Sequence, residues 1–312
     1  MNWLEANKAV AFVSIVVAVF VLIIIGIINQ RHAQVFSHNN FEFRNHLVPS
    51  WKMTGEYVAF CVVVRNQHND LPEWLQHHYF HHNIRRFYIM DDNSYPPHYL
   101  SQNFGIPREA ITHRYLQNVT TAIQHGVYNI CHEDYGTKHQ WIALFDVDEF
   151  LEVRLPATLN TFLKKHENAG GVGVNWQIYG SSGHLTRPTA GVRKSYFKCI
   201  SDESNPHNTH IKTISNTAYF LGMDGNPHTV LLNKGKTTVD EHGKPIPGNG
   251  PCRVPVTKDI ILLHHYVLKS KEEYVEKMLR GSANRNKKDW NFWNHIEMYS
   301  NASCTSMTKY NP

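Results

Sequence analysis

Cysteine is scarce in this chain and loosely spaced: there are five, Cys61, Cys131, Cys199, Cys252 and Cys304, with no CxxC pair. That spacing excludes a zinc knuckle and a dense disulfide framework, and leaves room for one or two bridges with a thiol over. Long blocks of lysine or arginine are missing as well. A net charge of +5 without clustered cations argues against nucleic acid as a partner, because such a surface must neutralise many phosphates at once. Scattered cations still suit a small diphosphate. No internal repeat or low-complexity tract appears. With 18% charged and 42% hydrophobic residues, the 312-residue composition is that of an ordinary globular protein of one large or two small domains. The 22 histidines are unusual, and a mildly acidic compartment would charge more of them.

What stands out first is local. Residues 9–28 are all apolar or small, and as a helix they would reach about 30 Å, the thickness of a hydrocarbon core. A cleaved signal peptide would have a shorter apolar region and a small-residue cleavage site, whereas Asn29-Gln30-Arg31-His32 follows here. The expectation is a single transmembrane signal anchor at 9–28 behind a short tail at 1–8. Lys8, Glu5 and Arg31 flank it too evenly for a charge rule to set orientation. The short tail and the large following domain suit the type II arrangement. Residues 29–55 are polar and aperiodic and read as a stem. The catalytic domain is then expected at 56–300, with a tail at 301–312. The sequons at Asn118 and Asn301 would be usable in a lumenal domain.

Residues 57–64 form a continuous β-prone run, the mark of a strand buried on both faces. Asp70 and Pro72 predict an N-cap and first turn of an amphipathic helix carrying Leu71, Trp74, Leu75 and Tyr79. A second short strand at 86–90 stops at Asp91-Asp92-Asn93-Ser94. This strand–helix–strand unit implies parallel pairing and brings both polar loops to one sheet edge, where ligands bind in open α/β sheets. A weaker strand at 111–116 and a helix at 120–135 follow. The apolar run 141–145 then enters Asp146-Val147-Asp148-Glu149. Further strands are expected at 173–178, 192–199 and 260–265. The Gly/Pro/Asn-rich stretch 240–255 reads as an acceptor-binding loop. Ser270 and Glu273 form a capping box that opens a helix ending at Gly281.

Two carboxylates at i and i+2 on a strand end point to one face, with Val147 turned into the core. Asp146 and Asp148 thus offer paired hard oxygen ligands suited to Mn²⁺ or Mg²⁺, a Lewis acid for a leaving diphosphate. Paired carboxylates also build two-metal phosphohydrolases, and a catalytically inactive, membrane-tethered carbohydrate-binding protein is a third reading.

Nine stretches, in order, resemble glycosyltransferase family 92 and its family-2-like relatives. They are Val62 to Asn66, Glu73-Trp74 with His78, Phe87 to Ser94, Trp141 to Leu151, Val174-Asn175-Trp176, Gly180-Ser181-Ser182-Gly183-His184, His210-Ile211-Lys212, Pro227-His228, and His265-Tyr266 through Lys269-Ser270. The chain departs from the family pattern in having Arg65-Asn66-Gln67 for Lys-Asn-Glu and Asp91-Asp92-Asn93-Ser94 for Asp-Asn-Asp-Ser. The resemblance implies an α/β, A-type glycosyltransferase fold, with a Rossmann-like, mostly parallel sheet flanked by helices. It implies hexosyl transfer from a nucleotide-diphosphate sugar, UDP-linked by expectation, to a glycan, glycoprotein or glycolipid acceptor, with inversion. It also implies that Asp146 and Asp148 hold metal and ribose-diphosphate, with His265 approaching the metal from the opposite side and His264 as its weaker alternative. Arg65, Asp91 and Asn93 would line the nucleotide cleft, and Gly180, Ser181, Ser182, Gly183 and His184 would contact donor sugar or phosphate. A carboxylate is the expected base in such a transfer; Asp202, Glu203 and Asp224 are candidates that no spacing separates. In a eukaryote the expected location is the Golgi.

Overall fold

Strand β1 (Val58–Val64) forms because β-branched and aromatic residues fill both of its faces, and the sheet around it covers them. The computed structural model containing it describes residues 56–310 apart from 102, 118–123, 155, 249 and 282–287. The expected anchor at 9–28, the stem and the Asn118 sequon lie outside the described residues. Among those described, no helix is long and apolar enough to cross a membrane.

From β1, helix α1 (Leu71–His81) leads to β2 (Phe87–Asp91), and β3 (Ile111–Tyr115) and β4 (Trp141–Leu144) complete a parallel set, in register Val64↔Asp91 and Cys61↔Leu144. Arg65, Asp92 and Asp146 therefore all leave the sheet at its carboxyl edge. Trp74 anchors α1: its ring packs 5.9 Å from those of both Phe60 and Phe87, and its indole N–H donates to the Glu149 carbonyl at 2.7 Å.

The second half inserts an antiparallel strand. β8 (Ile211–Asn216) runs between β4 and β6 (Gly171–Ile178), opposite to both; β12 (Ile261–His265) follows β6 in parallel, and β5 (Glu149–Val153) closes the edge antiparallel to β12. The order is β3-β2-β1-β4-β8-β6-β12-β5, and the short β11 (Thr238–Val239) also pairs with β6. This is a mixed α/β fold with a mostly parallel sheet. The core has two parts because strand side chains alternate. Ala59 and Cys61 face a smaller cluster with helix α2 (Gln124–Tyr135), and Phe60 and Val62 face the larger one.

Three local expectations change. Asp70 does not cap α1: its backbone is helical and its side chain makes no cap bond. Pro72 removes one of the N–H groups a cap would serve, and Lys269 Nζ at 2.6 Å and Arg187 Nη1 at 2.9 Å claim the carboxylate instead. Residues 192–199 are not one strand but a helical turn, α4 (Val192–Ser195), and the two-residue β7 (Lys198–Cys199), after a six-residue α3 (Leu159–Lys164) earlier in the chain. Glu73 of α1 draws the turn, accepting from the Val192 and Arg193 amides at 2.7 and 3.1 Å. The predicted capping box opens α5 (Lys271–Arg280), but α6 (Trp290–Tyr299), capped by Asp289, is a helix the pattern had not marked. Cys61–Cys131 ties β1 to α2 and Cys199–Cys304 joins β7 to the chain end beyond β13 (Ala302–Ser303), leaving Cys252 exposed and free.

Helix α1 buries His77 and His78, and His82 at its C-cap is buried beside them. Both His77 and His82 meet the Leu151 carbonyl, at 2.7 and 2.6 Å, and His78 accepts from the Leu151 amide at 3.2 Å. Burial holds all three below the ordinary imidazole value, His82 at about 4. Because the folded values lie below the unfolded one, the stability these neutral rings contribute is present above about pH 6.5 and is lost as pH falls toward 4. Thermal unfolding scanned from pH 7.5 to 4.5 should show a steep drop in Tm below 6.5. Each such histidine adds up to about 1.4 kcal/mol per pH unit, and His82→Gln should flatten the slope. A flat profile over that window would contradict the assignment.

Candidate active site

Asp146 and Asp148 sit on the turn between β4 and β5 rather than on a strand end; the Glu149 amide closes the turn on the Asp146 carbonyl at 3.0 Å. Val147 between them is buried, as expected. Both acids line a cleft of about 380 Å³ at the carboxyl edge of the sheet.

Asp146 rests in a buried polar nest. Its Oδ1 accepts from Gln124 Nε2, from the Tyr128 hydroxyl at 3.0 Å and from Lys212 Nζ at 3.1 Å. Lys212 has 0% exposure. Burial disfavours its charge, but Asp146 and Glu149, the latter 3.8 Å away, raise its pKa and keep it protonated. Glu149 is equally buried, and burial pushes its carboxyl well above the usual range despite Lys212. Its Oε2 accepts from the Asp146 amide at 2.7 Å.

Asp148 is 14% exposed, with Lys277 Nζ at 2.8 Å and His265 Nε2 at 3.6 Å. Burial raises its pKa, but these two neighbours outweigh that and hold the carboxylate well below its ordinary value. Lys277 also donates to the Val267 carbonyl at 2.9 Å, so α5 delivers a fixed ammonium to the acid. Arg280 and Lys288 line the same side, and among the described residues no carboxylate pairs with either. Burial, reinforced by Lys277, brings Lys288 down to about 8.

The other expected residues divide. Arg65 lines the cleft and pairs with Asp92 at 3.2 Å. Asp91 does not line it: it is fully buried and its two oxygens accept from the Ser94 and His98 amides at 3.0 and 2.7 Å, so Asp92 presents the acid in its place. Asn93, at φ 56°, accepts from the Tyr115 hydroxyl at 3.0 Å, also away from the cleft. The turn from Gly180 to His184 is occupied internally. Ser182 Oγ accepts from the Phe197 and Lys198 amides, Ser181 Oγ from the Gly183 amide, His184 Nε2 meets the Ser195 carbonyl, and a side chain at Gly180 would strike Ser300. His264 is held between Tyr179 and Glu152, at 2.7 and 3.0 Å. None of the proposed bases lines the cleft: Asp202 holds Ser204, Glu203 pairs with Lys258 at 2.8 Å, and Asp224 belongs to the β9 (Phe220–Met223) to β10 (Val230–Leu232) hairpin loop.

The sequence pattern assigned no role to Lys212, Lys277, Arg280, Lys288 or the rings of Trp176, His207, His210 and His228. The only signal for Trp176, His210, Lys212 and His228 was that they fall inside the family-like stretches, and His207 lies outside them. Lys277 and Arg280 read as ordinary helix surface.

A divalent cation fits the donor set in its chemistry. Asp146 and Asp148 supply carboxylate oxygens, and His265 has a buried Nδ1 without a hydrogen-bond partner among the described residues. The three are not drawn into one ligand set; the trio with ligand atoms within 4.8 Å of one another among the described residues is Glu241, His242 and Asp259, outside the cleft. There Glu241 is already engaged by the amides of residues 259–261.

No curated protein matches the chain. Solved structures of S. aureus TarS 1–349, alone, with UDP and with UDP-GlcNAc, are similar at 12% identity. Their TM-scores are 0.33, 0.32 and 0.34, and they cover 52%, 52% and 55% of this chain. The match spans about half of TarS 1–349, 47% to 50% of it. The profile of glycosyltransferase family 92 matches residues 98–298, more than half of the 312 residues, and takes in both acids, Lys212, His265 and Lys277. The chain is a glycosyltransferase and belongs to glycosyltransferase family 92.

Proposed function

We propose that this enzyme transfers a hexose from a UDP-sugar to a glycan, glycoprotein or glycolipid acceptor, with inversion, and that Mn²⁺ or Mg²⁺ assists at Asp146 and Asp148. The observation that carries the reading is the meeting of this carboxylate pair with Lys277, Arg280 and Lys288 in one cleft. A nucleoside diphosphate brings several negative charges, and two cations without carboxylate partners can meet them without leaving buried acids bare. Arg65 would sit on the nucleotide side, holding Asp92. When bound, the metal would act as a Lewis acid for the departing diphosphate. Lys277 would hold Asp148 ionised meanwhile, and Lys212 fixes the orientation of Asp146. The phosphohydrolase and inactive-binder alternatives lose their ground with the family assignment.

The anchor at 9–28, the stem at 29–55, the type II topology and a Golgi location belong to this proposal. The two disulfides support an oxidising compartment for the catalytic domain.

Thermal shift of the full chain against UDP and a panel of UDP-sugars, with and without Mn²⁺, tests the reading. Ligand at a hundred times its Kd stabilises by about 2.7 kcal/mol, so the true donor should raise Tm by several degrees and more so with the cation. If no uridine or other nucleotide ligand moves Tm under either condition, the donor assignment is wrong.

A further inference from the structure

The cleft has a second wall, built from rings. Trp176 of β6 packs flat on His210, with centroids 5.1 Å apart and planes 13° apart, and His228 meets Trp176 edge-on at 5.1 Å and His210 at 5.4 Å. Trp176 is only 8% exposed, yet among the described residues its indole N–H has no acceptor. A buried donor without a partner on a cleft wall costs free energy unless something supplies an oxygen.

Both histidines have a fixed tautomer. His210 Nδ1 lies 2.8 Å from the Pro206 carbonyl and His228 Nδ1 lies 2.9 Å from the Ile211 carbonyl. A carbonyl oxygen only accepts, so each neutral ring carries its proton on Nδ1 and keeps its lone pair on Nε2. No hydrogen bond engages either Nε2 among the described residues. Meanwhile the carboxylates lining the cleft are all committed: Asp92 to Arg65, Asp146 to Lys212 and Asp148 to Lys277. Among the described residues, no carboxylate on this surface is left to act as a base.

We propose that the Trp176–His210–His228 wall is the acceptor subsite, that the indole N–H of Trp176 receives an oxygen of the acceptor sugar, and that His210 Nε2 is the general base. This rests on the donor reading above. In the transfer, the acceptor O–H bond breaks and its proton passes to Nε2, while the oxygen bonds to the anomeric carbon. The bond from that carbon to the β-phosphate oxygen breaks, and its electron pair leaves with the nucleoside diphosphate. The imidazolium then returns its proton to solvent. His210 is favoured over His228 by position. His228 lies deeper, against Lys212, and burial with that cation takes it down to about 3, whereas His210 faces the open side with His207, His228 and Lys288 as its charged or titratable neighbours. Burial lowers His210 as well, so it is neutral and available near pH 7.

The test uses the full chain with Mn²⁺, UDP-galactose, UDP-glucose and UDP-GlcNAc as donors, and a panel of p-nitrophenyl monosaccharides and water as acceptors. His210→Asn keeps a donor for the Pro206 carbonyl but has no basic lone pair. It should lower kcat/KM for transfer about a hundredfold or more, erase the acid limb of the pH profile below 6.5, and leave the calorimetric Kd for UDP within about twofold. Added imidazole should restore part of the rate to His210→Gly. Trp176→Phe should raise the acceptor KM with UDP affinity kept. Near-wild-type transfer by His210→Asn, or a larger loss in His228→Asn, overturns the base assignment; so does a loss of UDP affinity that matches the loss of rate. An unchanged acceptor KM in Trp176→Phe overturns the subsite. If the wild-type chain binds no UDP at all, the donor reading fails first and takes this one with it.

Discussion

Replacing Asp148 by alanine should cut sugar transfer about a thousandfold and remove its response to Mn²⁺. The magnitude follows from the several kcal/mol that metal stabilisation of a leaving group supplies, at about 1.4 kcal/mol per decade of rate. Asp148 is the acid whose environment keeps it ionised through the working range: Lys277 at 2.8 Å and His265 at 3.6 Å outweigh the cost of its burial. Its loss would also release the Lys277 ammonium, which could partly meet the diphosphate, so donor affinity should fall less than rate. Initial rates with a Mn²⁺ titration, beside UDP affinity by calorimetry, separate these effects. Wild-type rates with unchanged metal dependence in Asp148→Ala would remove the centre of the functional reading.

Replacing Lys212 by methionine should be the most destabilising single change in the site, by about 3–5 kcal/mol, the usual result of stripping one partner from a buried ion pair. Methionine fills the same volume, so the change is chiefly one of charge. It leaves Asp146 without its cation next to the buried Glu149, and strips a donor from the Pro227 carbonyl at 3.3 Å. At about 2–4 °C per kcal/mol for a domain of this size, Tm should fall by roughly 6–20 °C. Adding Asp146→Asn should recover part of the loss, since it removes the unpaired charge; the pair should thus be non-additive. Lys277→Met should cost less stability, because the Lys277 side chain is 20% exposed against 0% for Lys212 and His265 stays beside Asp148. A Lys212→Met protein melting within two degrees of wild type would show that the pair contributes little.

Much of the donor side was legible because it depends on local pattern. Runs such as residues 58–64 and 141–144 declare strands buried on both faces, and parallel pairing carries their polar ends to one edge without further information. What misled the pattern was competition from distant partners. Asp70 has a cap's chemistry but lies within reach of Lys269 and Arg187, and Glu73 turns residues 192–195 into helix from another element. Asp91 and the Gly180–His184 turn look like ligand contacts, yet their hydrogen bonds are satisfied inside the fold.

By itself, then, the sequence determined the parallel βαβ half of the sheet, the placement of Asp146 and Asp148 at its carboxyl edge, the burial of Val147 and the capping of α5. Each follows from side-chain period, propensity or spacing over a few residues. Only the tertiary structure decided what surrounds the acids. The antiparallel insertion of β8 turns its amino-terminal end, with His210 and Lys212, toward the same edge, and α5 swings Lys277 and Arg280 over it. Which charges neutralise a buried carboxylate, and which imidazole keeps a free lone pair, depends on distances between residues far apart in the chain, and those exist only once the sheet order and strand directions are set.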